Sequence, residues 1–196
     1  MPRLPLENPA SRTFTLDSLR AVPGGCLETL GLTFAVLIAV RVFEAGQAAK
    51  AALVAAGSAG LVLSLFVVPV VRRFGLSVNK ACAWIWFGSG VALALAVVFG
   101  KSLGGFVVFV SLALMGVTLG VPLLAQIYRK HYPGKVRGRL FSISAAIRKV
   151  AAIVAASGFG WILNRTLEGY PWLLGVYAVA AILRGVTVLF MEDVHL

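Results

Sequence analysis

The 196-residue chain is 60% hydrophobic and 13% charged, whereas a soluble domain averages about 45–50% apolar and about a quarter charged, which argues against a soluble globular fold. Its 18 Lys and Arg outnumber 7 Asp and Glu, giving a formal net charge of +11. The basic residues sit between apolar runs with no aromatic–basic motif of a nucleic-acid module, so the charge points to bilayer topology and anionic headgroups rather than to nucleic acid.

Residues 1–19 read as a cytoplasmic N-terminal segment. Pro2, Pro5 and Pro9 oppose a helix there, and Thr15 or Asp17 suits the cap of a short helix ahead of the membrane. Met1 to Arg20 lacks the short apolar core and cleavage site of a signal peptide. Six apolar runs follow, each near the ~20 residues that cross a bilayer as a helix. They span about 20–43, 48–71, 81–99, 106–128, 140–163 and 171–191, leaving 192–196 as a polar tail. Pro23, Gly24 and Gly25 make the entry of the first run irregular. Gly75 marks a tight turn between Arg72-Arg73 and Lys80, Pro122 lies near the end of the fourth run, and Pro171 suits the first turn of the sixth. The fold class is therefore an all-α polytopic membrane protein with six transmembrane helices.

Loop charges orient it. With the N-terminus inside, cytoplasmic segments hold eleven basic residues: Arg3, Arg12, Arg20, Arg72, Arg73, Lys80, Arg129, Lys130, Lys135, Arg137 and Arg139. External segments hold four, Arg41, Lys50, Lys101 and Arg165. Basic residues in short loops mark the cytoplasmic face, so both termini are expected inside, in the plasma (inner) membrane.

Small residues four apart allow helices to approach. Ala52-Ala56-Gly60, Ala152-Ala156-Gly160 and Gly116-Gly120 have this spacing, which serves either contacts within the bundle or an outside partner. Cys26 and Cys82 lie inside apolar runs without metal or disulfide spacing. No HExxH occurs, no acidic cluster offers a metal site, and His131 and His195 meet no serine within the membrane. No enzyme and no cofactor is expected. Trp84, Trp86 and Phe87 read as a packing or anchoring group.

Charges inside spans are costly and face protein or water. Glu28 is the carboxylate deepest in a run, about 12 Å from Arg20 at ~1.5 Å per residue. By the same rise Arg148 lies about 13 Å from Arg139, and Arg184 about 12 Å from Glu192, so the three share a depth. Glu28 can face Arg148 or Lys149, but these lie about 100° apart on a helix, so both are not expected to share one partner. The pair reads as a substrate or proton pathway, or as a structural ion pair. Gln126 is a further candidate for the pathway, or for helix packing.

The stretch Tyr132-Pro133-Gly134-Lys135-Val136-Arg137-Gly138-Arg139, a basic loop entering an apolar helix, resembles the loop between the fourth and fifth helices of major facilitator superfamily transporters. Arg137 and Arg139 are similar to the family's basic pair, with Gly138 allowing a tight entry into the helix. The loop after the second run is similar to the family signature G-x-x-x-D-R-x-G-R-R at Arg73 and Gly75. Val68 replaces its opening Gly, Leu76-Ser77 its closing basic pair, and Arg72 its Asp. Arg72 cannot accept the hydrogen bonds of that acidic residue, so the family's charge network does not carry over. The Arg often found in the family's fourth helix has no counterpart near Ser111 and Leu112.

The resemblance implies one six-helix half, a 3+3 inverted repeat, of a carrier that normally has two. Helices one and four would line the solute path, five would lie close, and three and six would be peripheral. The chain ends where the family's central linker would begin, so it is similar to an N-terminal half: a truncated product, one part of a split carrier, or a half that dimerises. Implied partners are the lipid bilayer, a second six-helix bundle (a homodimer or a separately encoded half) and a small solute, with or without a coupling proton. The alternative is a six-span membrane protein without transport activity, an assembly partner or a remnant.

Overall fold

The computed structural model describes residues 9–195, and the expectations for residues 1–8 and Leu196 lie outside them. The described residues are helical almost throughout and contain no strand. Among the described residues six helices are long and apolar enough to cross a membrane: helix 1 (Ala10–Phe43), helix 2 (Gln47–Arg73), helix 3 (Val78–Phe99), helix 4 (Leu103–His131), helix 5 (Gly134–Arg165) and helix 6 (Leu167–Leu189). This is the architecture of a multi-pass membrane protein.

The largest departure from expectation is at the start. Residues 10–19 are not a separate lead-in, and neither Thr15 nor Asp17 caps a short helix. One α-helix runs from Pro9 to Thr29. Pro9 is its first described residue. Pro23 lies inside that helix, and a π turn at Leu30–Phe34 interrupts it before it resumes at Ala35–Phe43. Such single-turn π segments displace the backbone ladder and occur frequently at functional sites.

Helix 4 is also interrupted. Its two parts, Leu103–Leu119 and Val121–His131, join at Gly120, with Pro122 in the first turn of the second part. Pro122 has no N–H to donate and its ring crowds the preceding turn. Helix 6 begins with a 3₁₀ turn at Leu167–Gly169, and Pro171 takes the first turn of the α-helix, as expected.

The turn at Gly75 is built as its sequence suggests. Gly75 has φ 61°, and the amides of Gly75 and Leu76 bond the carbonyls of Arg72 and Val71 at 3.2 and 3.1 Å. This paired closure needs a left-handed residue just past the helix end, where glycine carries no Cβ penalty.

The basic loop is much shorter than expected. Only Tyr132 and Pro133 lie outside helices; Arg129 and Lys130 end helix 4, whereas Lys135, Arg137, Gly138 and Arg139 belong to the first turns of helix 5. Pro133 explains the stop, because the residue before a proline is pushed out of the α region. Tyr132 has φ −96° and ψ 121°. Gly138 is exposed, and a Cβ there would meet nothing within 4 Å, so it does not serve a tight helix entry.

Helix 1 packs on helices 5 and 6, helix 2 on helix 4, and helix 3 on helices 4 and 6. In lipid, apolar area gives little drive for association, and close backbone approach matters more. Ala56 and Gly60 are buried in helix 2, and a Cβ on Gly60 would strike Thr118 and Met115 of helix 4. Ala156 packs on the core. Gly116 and Gly120 face Ser89 and Trp86 of helix 3. These small residues serve contacts inside the bundle, while Ala52 is exposed and Gly160 faces open space.

Two apolar clusters fill the interior. One, around Phe34, Leu93, Phe106 and Tyr177, occupies the half near Phe43 and Phe99. The other, around Trp86, Ile127, Tyr128 and Tyr132, occupies the half near the turns at Gly75 and Pro133. The tail completes this second end. Val194 and Met191 are buried, Val78 N–H donates to Val194 O at 2.8 Å, and Ser77 Oγ donates to Asp193 Oδ1 at 2.7 Å. Asn79 Nδ2 donates to the carbonyls of Val188 and Glu192 at 3.2 and 3.1 Å, while its Oδ1 accepts from Val194 N–H at 3.1 Å.

Candidate functional site: a charged cavity beside two helix interruptions

Helix 1 and helix 5 touch backbone to backbone. A Cβ on Gly25 would lie 2.9 Å from both Ala151 Cβ and Ala152 N and would overlap Arg148 O, so only glycine admits this crossing. Three residues on, Glu28 lies on the same side of helix 1. The close approach brings it to helix 5, where Lys149 Nζ donates to Glu28 Oε1 and Arg148 Nε lies 3.5 Å from Glu28 Oε2.

Both cations therefore share one carboxylate, contrary to the expectation from their ~100° separation. Backbone direction alone misleads here. Arg148 and Lys149 have long stems, Glu28 offers one oxygen to each, and Gly25 removes the spacing that would keep them apart.

Glu28 and Arg148 line a cavity of about 380 Å³. Helix 1 adds Gly31, within the π turn; helix 2 adds Gly57 and Ser58; helix 4 adds Thr118 and Val121; and helix 6 adds Arg184. The cavity thus lies against both interrupted helices, at Gly31 in one and Val121 in the other. A volume of several hundred Å³ with few polar groups is typical of small-molecule sites. Helix 6 is not peripheral to it, because Arg184 forms part of the wall.

Arg184 is 5% exposed. Its Cζ lies 3.9 Å from the centroid of the Trp86 ring, and Trp86 is itself fixed by donating Nε1–H to Val117 O at 3.3 Å. Arg184 Nε has no hydrogen-bond partner, and no carboxylate lies within ion-pair distance of it among the described residues.

Gln126 does not join this group. It is half-buried and lines a separate depression with Arg72, Arg129, Lys130 and His195. Arg73 and Arg139 are exposed. Arg137 has a structural task, donating to the carbonyls of Arg129 and Tyr132, each at 3.0 Å from Nη2. A guanidinium there satisfies the unpaired carbonyls at the C-terminus of helix 4 and complements its dipole.

A second charged group was not foreseen from sequence. Asp17 is fully buried, and Arg20 donates to its Oδ1 through Nε at 3.0 Å and Nη2 at 2.6 Å. Tyr128 of helix 4 donates its hydroxyl to the same oxygen, and Arg20 Nη2 reaches Tyr128 Oη at 2.6 Å. Tyr132 stacks on Tyr128 with centroids 5.3 Å apart, and burial pushes its phenol above the ordinary range. The local signal was present as Asp17 and Arg20 three apart on one helical face, but Tyr128 is 111 residues away from Asp17.

Comparison with known protein families finds no family model that matches the chain, and comparison with curated proteins finds no match.

Proposed function

We propose that the chain is a membrane transport protein, one six-helix half of a major facilitator-type secondary carrier, moving a small solute by alternating access with a second six-helix bundle. The observation that carries this reading is the charged cavity between two interrupted helices. Solute sites of secondary carriers characteristically lie near the midplane at broken helices. Intramembrane charges mark substrate or ion pathways, and here Glu28, Arg148 and Arg184 converge on one space.

The helix pairings support a 3+3 repeat. Exchanging helices 1, 2 and 3 for 4, 5 and 6 converts the 1–5 contact into 4–2, the 1–6 contact into 4–3, and leaves 3–6 unchanged. The two interrupted helices, 1 and 4, exchange with each other. Three intervening crossings make equivalent helices run in opposite senses, which suits an inverted repeat. One bundle supplies one wall of a solute path, and a second copy or a separately encoded half would supply the other. Loop charge favours both termini on the cytoplasmic side of a plasma membrane. Such a carrier breaks no covalent bond in its solute and needs no cofactor.

Single-cysteine labelling tests the mechanism without knowing the solute. In a background lacking Cys26 and Cys82, position 58 lines the cavity. A membrane-impermeant thiol reagent is expected to modify Ser58→Cys from both faces of sealed vesicles, with positions 135 and 101 modified only from the inside and the outside. Labelling of position 58 from one face only, in fully assembled protein, would favour a six-span protein without transport activity. External labelling at 135 would invert the topology.

A further inference from the structure

We propose that the cavity binds a small oxyanion, a carboxylate or phosphate group, between Arg184 and Arg148. This deepens the carrier reading by assigning it a solute class, and it rests on that reading only for transport, not for binding.

Charge around the cavity is unbalanced. Arg148 and Arg184 line the cavity with one carboxylate among the described residues, Glu28, which Arg148 and Lys149 already share. Arg184 is left over. A guanidinium stays charged in proteins, and burying an ion without a counterion is strongly unfavourable. Contact with a Trp ring offsets only part of that cost. The protein does solve this problem elsewhere: Arg20, also on the Trp86 ring at 5.7 Å, has Asp17 within 2.6 Å. Arg184 has the same aromatic support and, among the described residues, no acid within ion-pair distance.

The arrangement suits an incoming oxyanion. Trp86 holds one face of the guanidinium, so its donating edge is oriented. Nε–H has no acceptor, and a guanidinium edge matches two oxygens of a carboxylate or phosphate. Arg148, whose Nε lies 3.5 Å from Glu28 without a hydrogen bond, lines the same space and can add a second contact. A lipid headgroup phosphate carries the same chemistry as a free anion.

Thermal unfolding of the full chain in neutral detergent tests this at matched ionic strength, with succinate and inorganic phosphate as soluble probes, phosphatidylglycerol as the lipid probe, and choline as the cationic control. Saturable stabilisation by an anionic probe but not by choline is expected, with binding weakened about ten-fold or more in Arg184→Gln, the loss of one charge-assisted hydrogen bond. A response to succinate or phosphate assigns the site to a free solute; a response to phosphatidylglycerol alone assigns it to a headgroup. No response to any anion, or equal binding by Arg184→Gln, overturns the site. If Arg184→Gln is not monodisperse, Arg148→Gln replaces it; weaker binding supports the proposal and unchanged binding overturns it. A chain that binds anions yet exposes position 58 to one face only keeps the site and loses the carrier. One that exposes position 58 to both faces and ignores anions keeps the carrier and loses the site.

Discussion

Two groups of charges sit inside the bundle, and they are built in opposite ways. Asp17, Arg20 and Tyr128 form a set closed in charge, in which each member bonds the others and the acid is fully buried, although Asp17 Oδ2 and Arg20 Nη1 keep no hydrogen-bond partner. Glu28, Arg148 and Arg184 line a cavity, with Lys149 paired to Glu28 from its exposed side, and this open set holds more cations than acids among the described residues. The closed set binds helix 1 to helix 4 as a fixed joint. The open set leaves electrostatic work undone, and that is what a site awaiting a ligand requires. Charge within a membrane helix is thus not one signal but two, separated by whether the protein itself completes the pairing.

The largest expected effect comes from breaking the closed set. Asp17→Ala leaves Arg20 buried without its acid and should cost about 3–5 kcal/mol, as removal of one partner of a buried pair does. Thermal or denaturant unfolding in detergent measures it. A loss as small as that of a surface pair would erase the distinction between the two groups.

Gly25→Val comes next. The added atoms meet Arg148 O, Ala151 and Ala152, and overpacking of this kind costs about 1–3 kcal/mol. Because helices 1 and 5 must then part, the variant should also weaken the coupling of Glu28 to Lys149. A stable variant with intact coupling would show that the helix crossing does not position the open set.

The smallest effect belongs to Glu28→Gln. Its partners are partly exposed, at 34% for the Arg148 side chain and 60% for Lys149, so the stability change should be about 1 kcal/mol or less. Double-mutant cycles with Lys149→Gln and with Arg148→Gln should both show coupling, the former larger because it alone is a hydrogen bond. Strict additivity in both cycles would remove the shared carboxylate from the description.

Helices 2 to 6 were legible in the sequence because long apolar runs leave few alternatives, and Gly75 and Pro171 punctuate them with local chemistry. Helix 1 was legible only from residue 20, since the polar residues before it read as a lead-in whereas the helix runs through them. Asp17 read as a cap because its true partners are one residue on its own helix and another 111 positions away. Nothing local announces such a pairing. Arg148 and Lys149 were identified as candidates, but their sharing of Glu28 depends on the Gly25 crossing, which converts two divergent side chains into neighbours.

The bonds between Asn79 and the tail also order events in time. Asn79 is buried, and its side-chain partners on Val188, Glu192 and Val194 lie 109 to 115 residues later. At about 5–20 residues per second, a ribosome needs roughly 5–20 s to make that intervening chain. Throughout that interval the first turn of helix 3 has been synthesised but lacks its native acceptors. The bundle's end near Gly75 therefore closes only after the sixth helix has been delivered, and a nascent chain stalled before residue 188 leaves the Asn79 amide of helix 3 without its native acceptors.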